Sequence, residues 1–146
     1  MSERLAELMP EAIASEEELF AMPAGEYMND QQLAFFRARL ENLRVQLLAR
    51  ALSARALLEA GDALPDPNDR ATMEEEHLIE QRRLDRERKY LKKIEAALAR
   101  IADGTYGYCE ETGEPIGLRR LIARPAVTLC LEAQERHERA ERRAKR

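Results

Sequence analysis

The sequence predicts a mainly α-helical protein in which a long antiparallel coiled-coil hairpin joins a small globular head and a C-terminal helix. Two helix-forming stretches of nearly equal length, 29–60 and 72–102, flank a short segment rich in Gly, Pro and Asp. Ala and Leu recur at helical spacing in both stretches, whereas the chain contains no Trp and only 5% aromatic residues. Equal arms around a short breaker are typical of a helical hairpin, and so few large side chains leave little material for a thick core.

The N-terminal segment, residues 1–28, is expected to pack on or near the head as one or two short, loosely held helices, in part disordered. Ser15 and Glu18 have the spacing of a capping box, and Pro23 and Gly25 follow as helix breakers. Apolar residues at rough helical spacing precede them: Leu5, Leu8, Met9 and Ile13.

The first arm of the hairpin, within the predicted region 29–102, begins with strong helix-start signals. Asn29 is a suitable N-cap, and Gln32, three residues later, has the position that completes a capping box. Met28 and Leu33 have the positions of a hydrophobic staple. Two heptad rows then predict a seam that needs a partner helix, and only Arg50 interrupts them. The rows are Leu33, Leu40, Leu47 and Ala54, and Phe36, Leu43 and Leu57.

The second arm has a firm apolar seam only toward its C-terminal half. Its rows are Leu84, Leu91 and Leu98, and Ile94 and Ile101, with Glu80 and Glu87 in the second row toward the tip. A basic stripe with spacings of 4, 3 and 4 lies on one face: Arg82, Arg86, Lys89 and Lys93. This stripe is either a solvated helix face or a surface for a phosphate-bearing ligand or an acidic partner.

The predicted tip of the hairpin, residues 61–72, contains two carboxylates, Asp66 and Asp69. Both have a local explanation, since Asp66 suits an N-cap, Pro67 suits the first helical position, and Asp69 would face the positive end of the helix. The pattern itself does not separate this role in building the turn from a functional one.

The predicted head, residues 103–126, is rich in turns, and a C-terminal helix is expected over 127–146. That helix would begin near Val127 and present one face with Cys130, Ala133, His137 and Ala140. We expect His137 to be a partly buried helical residue rather than a ligand.

The two cysteines have the spacing of a zinc ribbon that has lost half of its ligands. Cys109 and Thr112 repeat the C-x-x-C spacing without the second Cys, as do Cys130 and Ala133. Structural zinc requires four ligands, so the sequence predicts a degenerate zinc-ribbon-like head without metal. A redox switch through Cys109 and Cys130 is the alternative.

Composition and charge favour a cytoplasmic protein that does not bind DNA directly. The net charge is −4, whereas binding to a phosphate backbone requires an excess of Lys and Arg. No apolar run approaches the ~20 residues that span a bilayer, and no basic-then-apolar leader opens the chain. We therefore expect no membrane association.

The sequence from Tyr27 to His137 resembles the DksA/TraR family of bacterial transcription factors. The resemblance depends on YMNDQQLAFFRARL in the first arm, LPDPNDRATMEEE at the tip, DRERKYLKKIEAAL in the second arm, YGYCEETGEPIGLRRLIARP in the head, and TLC before the last helix. Leu84 departs from the polar residue expected there, and the cysteine pattern resembles the branch of the family with degenerate zinc ligands.

The resemblance implies a monomeric, non-enzymatic regulator that binds RNA polymerase through its secondary channel and destabilises open promoter complexes together with ppGpp, in the stringent response. The tip motif D-x-x-D-x-A is intact, which implies effector roles for Asp66, Asp69 and Ala71. The implied ppGpp-binding positions are Arg86, Tyr90, Lys93 and Arg124, while Gln134 replaces an expected Lys. Zinc is not expected as a cofactor.

Three other functions are compatible with the same residues. A Gre-like accessory factor would use the tip carboxylates to hold a metal ion in the active site of the polymerase during transcript cleavage. A generic coiled-coil adaptor would use the tip only as a turn. A thiol-based redox sensor would be a variant of the transcription regulator.

Overall fold

In a computed structural model that describes residues 13–60 and 67–145, the chain forms an antiparallel helical hairpin with a small head at its open end. The side chains of residues 58, 60 and 67–69 fall outside this description. The helices are α1 (Glu16–Ala21), α2 (Asp30–Ala60), α3 (Pro67–Asp103), α4 (Leu118–Ala123) and α5 (Leu131–Ala144), with a 3-10 turn at Ala24–Glu26. The predicted mainly α fold is confirmed, and the described ranges contain an isolated bridge between Tyr108 and Pro115 but no strand.

The first arm begins where its capping residues predict. The side-chain oxygen of Asn29 accepts a hydrogen bond from the backbone N–H of Gln32 at 2.8 Å. In return, the side-chain oxygen of Gln32 accepts one from the backbone N–H of Met28 at 2.6 Å, and Gln32 is buried. One donor that a helix start leaves free, the N–H of Gln32, is thus satisfied, and the return bond from Met28 fixes how the chain enters α2.

The described part of the N-terminal segment packs against the body more firmly than expected. The predicted cap is present, since the Ser15 hydroxyl accepts from the backbone N–H of Glu18 at 3.3 Å. Leu19 is fully buried in the core, and Glu16 forms an ion pair with Arg39 of α2 at 2.9 Å. These contacts correct the expectation of a loosely held segment for this part of the chain, while Leu5, Leu8 and Met9 lie outside the described residues.

The seam between the two arms is buried mainly near the head. Its fully or nearly fully buried members are Phe36, Leu40, Leu47 and Ala54 from α2, and Ile94, Ala97 and Ile101 from α3. Each large apolar side chain removed from water contributes about 1.5–3 kcal/mol, so this end accounts for much of the hairpin's stability. Leu57, predicted to belong to the seam, is instead 74% exposed and lines a cavity between the arms.

Polar residues interrupt the apolar seam between the two arms toward the tip. A cavity of about 520 Å³ lies between the arms there, and Arg50, Glu80 and Arg83 contribute to its lining. Arg83 contacts the carboxylate of Glu80 and also that of Glu87, at 3.4 Å. One oxygen of Glu87 is nevertheless buried without a hydrogen-bond partner, which opposes folding because a desolvated acceptor has lost its bonds to water.

The second arm begins at Pro67 rather than at the predicted Thr72. Proline has no backbone N–H to leave unsatisfied, and its φ already suits the first helical position. The preceding residue, Asp66, lies outside the described residues, so its expected role as N-cap stays a prediction.

The head opens with a short antiparallel turn. The backbone N–H of Ile116 donates to the carbonyl of Gly107 at 2.8 Å, and the N–H of Cys109 donates to the carbonyl of Glu114 at 2.8 Å. Gly107 has φ of +90°, and a Cβ built on it would lie 2.7 Å from the side chain of Met28. Glycine is therefore required there for both backbone conformation and space.

The C-terminal helix begins at Leu131 rather than near Val127. Two backbone hydrogen bonds keep the residues around Val127 and Thr128 in a non-helical conformation. The N–H of Val127 donates to the carbonyl of Arg124 at 3.1 Å, and the N–H of Glu110 donates to the carbonyl of Thr128 at 2.9 Å. Cys130 is consequently the residue before the helix instead of a member of its face.

His137 is exposed and contacts Glu111, so the expectation of a partly buried His137 is wrong.

No helix within residues 13–60 and 67–145 has the length and apolar character that crossing a membrane requires.

Replacing Glu87 with Leu is expected to raise the free energy of unfolding by about 1 kcal/mol. The substitution removes a buried oxygen that lacks a partner and extends the apolar seam. Urea denaturation measures the change, and Glu95→Leu, at an exposed position of the same helix, serves as the control that should stay within about 0.5 kcal/mol of the parent. A loss of stability confined to Glu87→Leu would show that the ion pair with Arg83 outweighs the cost of burial.

Candidate functional site

The tip of the hairpin is described only in part. Asp66 lies outside the described residues, and Asp69 lies in the first turn of α3 with a side chain that is not described. Ala71 is an exposed residue of α3. An effector role for these three residues stays a prediction, to which the structure adds that α3 starts immediately after Asp66.

The basic stripe of α3 is exposed along its whole length. All four members, Arg82, Arg86, Lys89 and Lys93, are exposed, and none of them forms an ion pair within the described part of the chain. By contrast, the neighbouring Arg83 and Arg88 are paired with carboxylates of the same helix. The stripe is therefore a positive surface available to an anionic ligand or partner.

The four predicted ppGpp-binding residues differ in their surroundings. Arg86 and Lys93 lie two turns apart on the exposed stripe, with Tyr90 between them at the edge of the core. Burial raises the pKa of Tyr90, so its hydroxyl stays protonated at neutral pH. Arg124 is exposed at the end of α4 and lines a groove of about 780 Å³ whose lining does not include the other three.

Gln134, which stands where the family resemblance implies Lys, lies in the second turn of α5. Its side-chain amide donates to the carboxylate of Glu138 at 3.4 Å, and no positive charge is present at the position.

Three of the four zinc-site positions, Cys109, Thr112 and Cys130, lie close together in the head. Cys109 and Cys130 are buried free thiols, and Ala133 is fully buried. The hydroxyl of Thr112 lies 3.9 Å from the sulfur of Cys130 and hydrogen-bonds to Cys109. Thr112 thus connects the two thiols, and its hydroxyl also accepts from the backbone N–H of Glu114 at 3.2 Å.

The pKa of the Cys109 thiol is lowered to about 6. Burial alone raises it, but hydrogen bonds from the backbone of Cys130, from the hydroxyl and backbone of Thr112, and from the backbone of Glu111 together have the larger effect. Several N–H donors directed at one sulfur stabilise the thiolate, the form that also binds metals and attacks oxidants.

These residues do not supply the donors that a structural zinc ion requires. A closed zinc site takes four ligands, whereas the four positions offer two thiols, one hydroxyl and the methyl group of Ala133. Among the residues that the structure describes, no group of three or more His, Cys, Asp or Glu side chains is arranged to hold a metal ion.

Carboxylates of the head form ion pairs that sequence spacing did not predict. Glu111 contacts His137 and lies 3.9 Å from Arg136, and Glu110 contacts Arg100 of α3. The first two tie α5 to the loop that contains Thr112, and the third ties this loop to the base of the hairpin. The partners are too distant in sequence for helical periodicity to indicate them.

Tyr27 also has a structural role that the sequence did not indicate. Its hydroxyl donates to the carbonyl of Gly107 at 2.6 Å and accepts from the backbone N–H of Gly117 at 2.9 Å. Its ring meets that of Tyr108 edge to face, with centroids 5.5 Å apart. Burial raises the pKa of Tyr27, while the hydrogen bond from Gly117 opposes this change.

Two family models match consecutive parts of the chain. The N-terminal domain of the DnaK suppressor protein DksA matches residues 32–101, and the prokaryotic dksA/traR C4-type zinc finger matches residues 104–139. The RNA polymerase-binding transcription factor DksA of Caulobacter vibrioides (strain NA1000 / CB15N) is 48% identical over 117 residues, which cover 80% of this chain and 82% of that protein. The protein of the same name from Escherichia coli (strain K12) is 45% identical over 124 residues, covering 84% and 82%.

A solved structure shows the same similarity in three dimensions. The transcription factor DksA2 from Pseudomonas aeruginosa superposes with a TM-score of 0.79 at 48% identity, and the match covers 88% of this chain and 99% of that one. The match covers nearly all of that chain, so the similarity includes both the hairpin and the head. On this evidence the chain belongs to the DksA/TraR family of transcription factors.

Proposed function

We propose that this protein is a non-enzymatic regulator of transcription initiation that binds RNA polymerase through the secondary channel. The supporting observation is the family membership, since relatives 45–48% identical are named RNA polymerase-binding transcription factors. The shape of the hairpin agrees with this function, because a 37-residue α3 extends for about 55 Å. A hairpin of that length can deliver its tip deep into a channel while the head stays outside.

In this proposal the tip carboxylates act near the catalytic magnesium of the polymerase and destabilise open promoter complexes. Asp66 builds the turn, Asp69 makes the regulatory contact, and Ala71 keeps the approach uncrowded. The acidic net charge supports a partner other than DNA, since it lacks the cation excess that binding a phosphate backbone requires. The protein acts as a cytoplasmic monomer.

The basic stripe and its neighbours form the proposed site for ppGpp. The unpaired cations Arg86 and Lys93 would contact its phosphates together with Tyr90 and Arg124, across the boundary between the protein and the polymerase. Because Gln134 has no positive charge, we expect ppGpp to strengthen the effect of this protein on transcription less than that of a relative with Lys at this position. The head functions without zinc, because hydrogen bonds through Thr112 replace part of the metal's organising role.

Asp69→Asn is expected to leave polymerase binding nearly intact and to abolish the effect on open-complex lifetime. The substitution keeps the size of the side chain but removes its charge. Binding is measured by competition with the parent protein for polymerase. The lifetime of the open complex is measured on a ribosomal RNA promoter. Glu75→Gln, at an exposed position of the same arm, is the matched control and should retain both activities.

The same variants separate the proposed function from its alternatives. Equal loss of binding and effect in Asp69→Asn would argue against a dedicated tip role. A change in thermal stability alone would indicate a coiled-coil adaptor. If the parent protein accelerates RNA cleavage in backtracked complexes and Asp69→Asn does not, the Gre-like function is the correct one.

Lys93→Ala is expected to reduce the ppGpp-dependent part of the effect several-fold while preserving the ppGpp-independent part. The reason is the loss of one charge-assisted contact to a phosphate. Transcription from a ribosomal promoter with and without ppGpp provides the measurement. Lys92→Ala, at the adjacent exposed position off the stripe, should behave like the parent, and an equal loss in both variants would contradict a specific site.

A second function, thiol-based redox sensing, is favoured by the lowered pKa of Cys109. In this reaction the Cys109 thiolate attacks a peroxide to give a sulfenic acid and water. The Cys130 thiol then displaces a second water to form a disulfide, so that two thiols are oxidised and one peroxide is reduced. The disulfide would alter the loop that contains Thr112.

Oxidation of Cys109 is expected to be nearly independent of pH between 7 and 9 and to slow as the pH falls through about 6, because only the thiolate reacts. Mass spectrometry after timed peroxide exposure measures the rate. Thr112→Val should shift the profile to higher pH, since it removes one hydrogen-bond donor to the sulfur. Cys130→Ser should abolish the oxidant sensitivity of the transcription effect, and unchanged sensitivity would exclude the redox function.

A further inference from the structure

The head contains two buried thiols where a C4-type zinc finger has four. Cys109 is 4% exposed and Cys130 is 8% exposed, and neither forms a disulfide. The Cys109 sulfur accepts a hydrogen bond from the backbone N–H of Cys130. The Thr112 hydroxyl hydrogen-bonds to Cys109 and lies 3.9 Å from the Cys130 sulfur. One hydroxyl therefore contacts both sulfurs, which makes the two thiols close neighbours.

The surroundings of the two sulfurs suit thiolates that bind a metal ion. Backbone donors from Cys130, Thr112 and Glu111 are directed at the Cys109 sulfur, in addition to the Thr112 hydroxyl. Such donors stabilise negative charge on sulfur and fix its position before an ion arrives. Cys130 directly precedes the 14-residue α5, and the free N–H groups at the start of a helix also favour negative charge nearby.

The strong metal donors around this position are the two sulfurs. Ala133, one turn after Cys130, is fully buried and offers only a methyl group. His137 is exposed, and its ring nitrogen already has a carboxylate partner in Glu111. Across the described ranges of the chain, no third His, Cys, Asp or Glu joins the two thiols to form a metal-binding group. The pair therefore does not match zinc, which takes four ligands in a structural site.

We propose that Cys109 and Cys130 bind one soft monovalent cation, of which Cu(I) is the type, between their two sulfurs. Thiolate is the ligand that selects Cu(I) over harder ions. A monovalent ion with a filled d shell accepts two sulfurs in a nearly linear arrangement and needs no further ligand. Each thiol that binds releases its proton to solvent, so the two thiolates and the ion together have one net negative charge. The N–H donors around Cys109 stabilise that charge.

The loop that contains Thr112 separates the thiols from solvent and is held weakly. Thr112 is itself exposed, and the ion pairs of Glu111 with Arg136 and His137 join exposed side chains. Exposed ion pairs contribute little to stability, so a small movement of the loop admits an ion at low cost. The bound ion and a disulfide exclude each other, because a disulfide leaves neither sulfur free. Binding of the ion involves the head alone and does not depend on RNA polymerase.

Transfer of Cu(I) to the reduced, full-length protein without oxygen tests the site. The ion is supplied as its coloured complex with bicinchoninate, and the loss of colour gives stoichiometry and affinity. One Cu(I) per chain is expected, with two sulfur neighbours in its X-ray absorption spectrum. Zn(II) is expected to bind at least about 100-fold more weakly. No transfer of Cu(I), three or more protein ligands, or equal affinity for the two ions would overturn the proposal.

Single substitutions identify the ligands. Cys109→Ser and Cys130→Ser are each expected to weaken Cu(I) binding at least about 100-fold, because one of two soft ligands is lost. Thr112→Val is the matched control, since Thr112 contacts both sulfurs without being a ligand. It should still bind one Cu(I), with an affinity within about ten-fold of the parent. Tight binding by Cys130→Ser, or a loss in Thr112→Val as large as in the cysteine variants, would contradict a two-sulfur site.

Thermal melting distinguishes a lost ligand from a lost fold. One equivalent of Ag(I), an ion with the same preference for thiolates, is expected to raise the melting temperature of the parent and of Thr112→Val. The reason is that an ion that binds only the folded head stabilises it. Cys130→Ser should melt cooperatively at a temperature that Ag(I) leaves unchanged. An equal rise in the parent and in Cys130→Ser would assign the ion to another part of the chain and overturn the proposal.

Discussion

The packing of Phe36 against Tyr106 joins the hairpin to the head, and the rest of the structure depends on it. Phe36 is a fully buried seam residue of α2, Tyr106 is 2% exposed, and their ring centroids lie 5.6 Å apart. The Tyr106 hydroxyl donates to the carbonyl of Pro125 at 2.7 Å, so the same side chain also fixes the turn before Cys130. Burial raises the pKa of Tyr106, and the hydroxyl therefore remains a donor at physiological pH.

The elements that the sequence predicted correctly are those determined by neighbours in the chain. Asn29 and Gln32 specify the start of α2 through contacts within one turn, and heptad spacing identified the buried seam near the head. The family resemblance identified the DksA/TraR family, which spacing alone did not distinguish from a solvated hairpin.

The elements that the sequence did not predict depend on contacts across the fold. Tyr27 bonds to glycines 80 and 90 residues away, and no local pattern indicates such partners. Val127 was expected near the start of the last helix, yet the backbone N–H of Glu110 donates to the carbonyl of the adjacent Thr128 and keeps this stretch out of the helix. His137 was expected against the body, but its partner is a carboxylate of the opposite loop. In each case a tertiary contact overrides local propensity.

The polar gap in the seam gives the hairpin a gradient of stiffness. Near Phe36 and Ile94 the arms are locked by buried apolar side chains, whereas near Glu80 they are separated by a cavity and held by exposed or half-buried charges. Local opening requires little free energy where few apolar contacts are lost. Bending between the arms near Glu80 therefore costs less free energy than bending near Phe36 and Ile94, where buried apolar contacts between the arms would be lost.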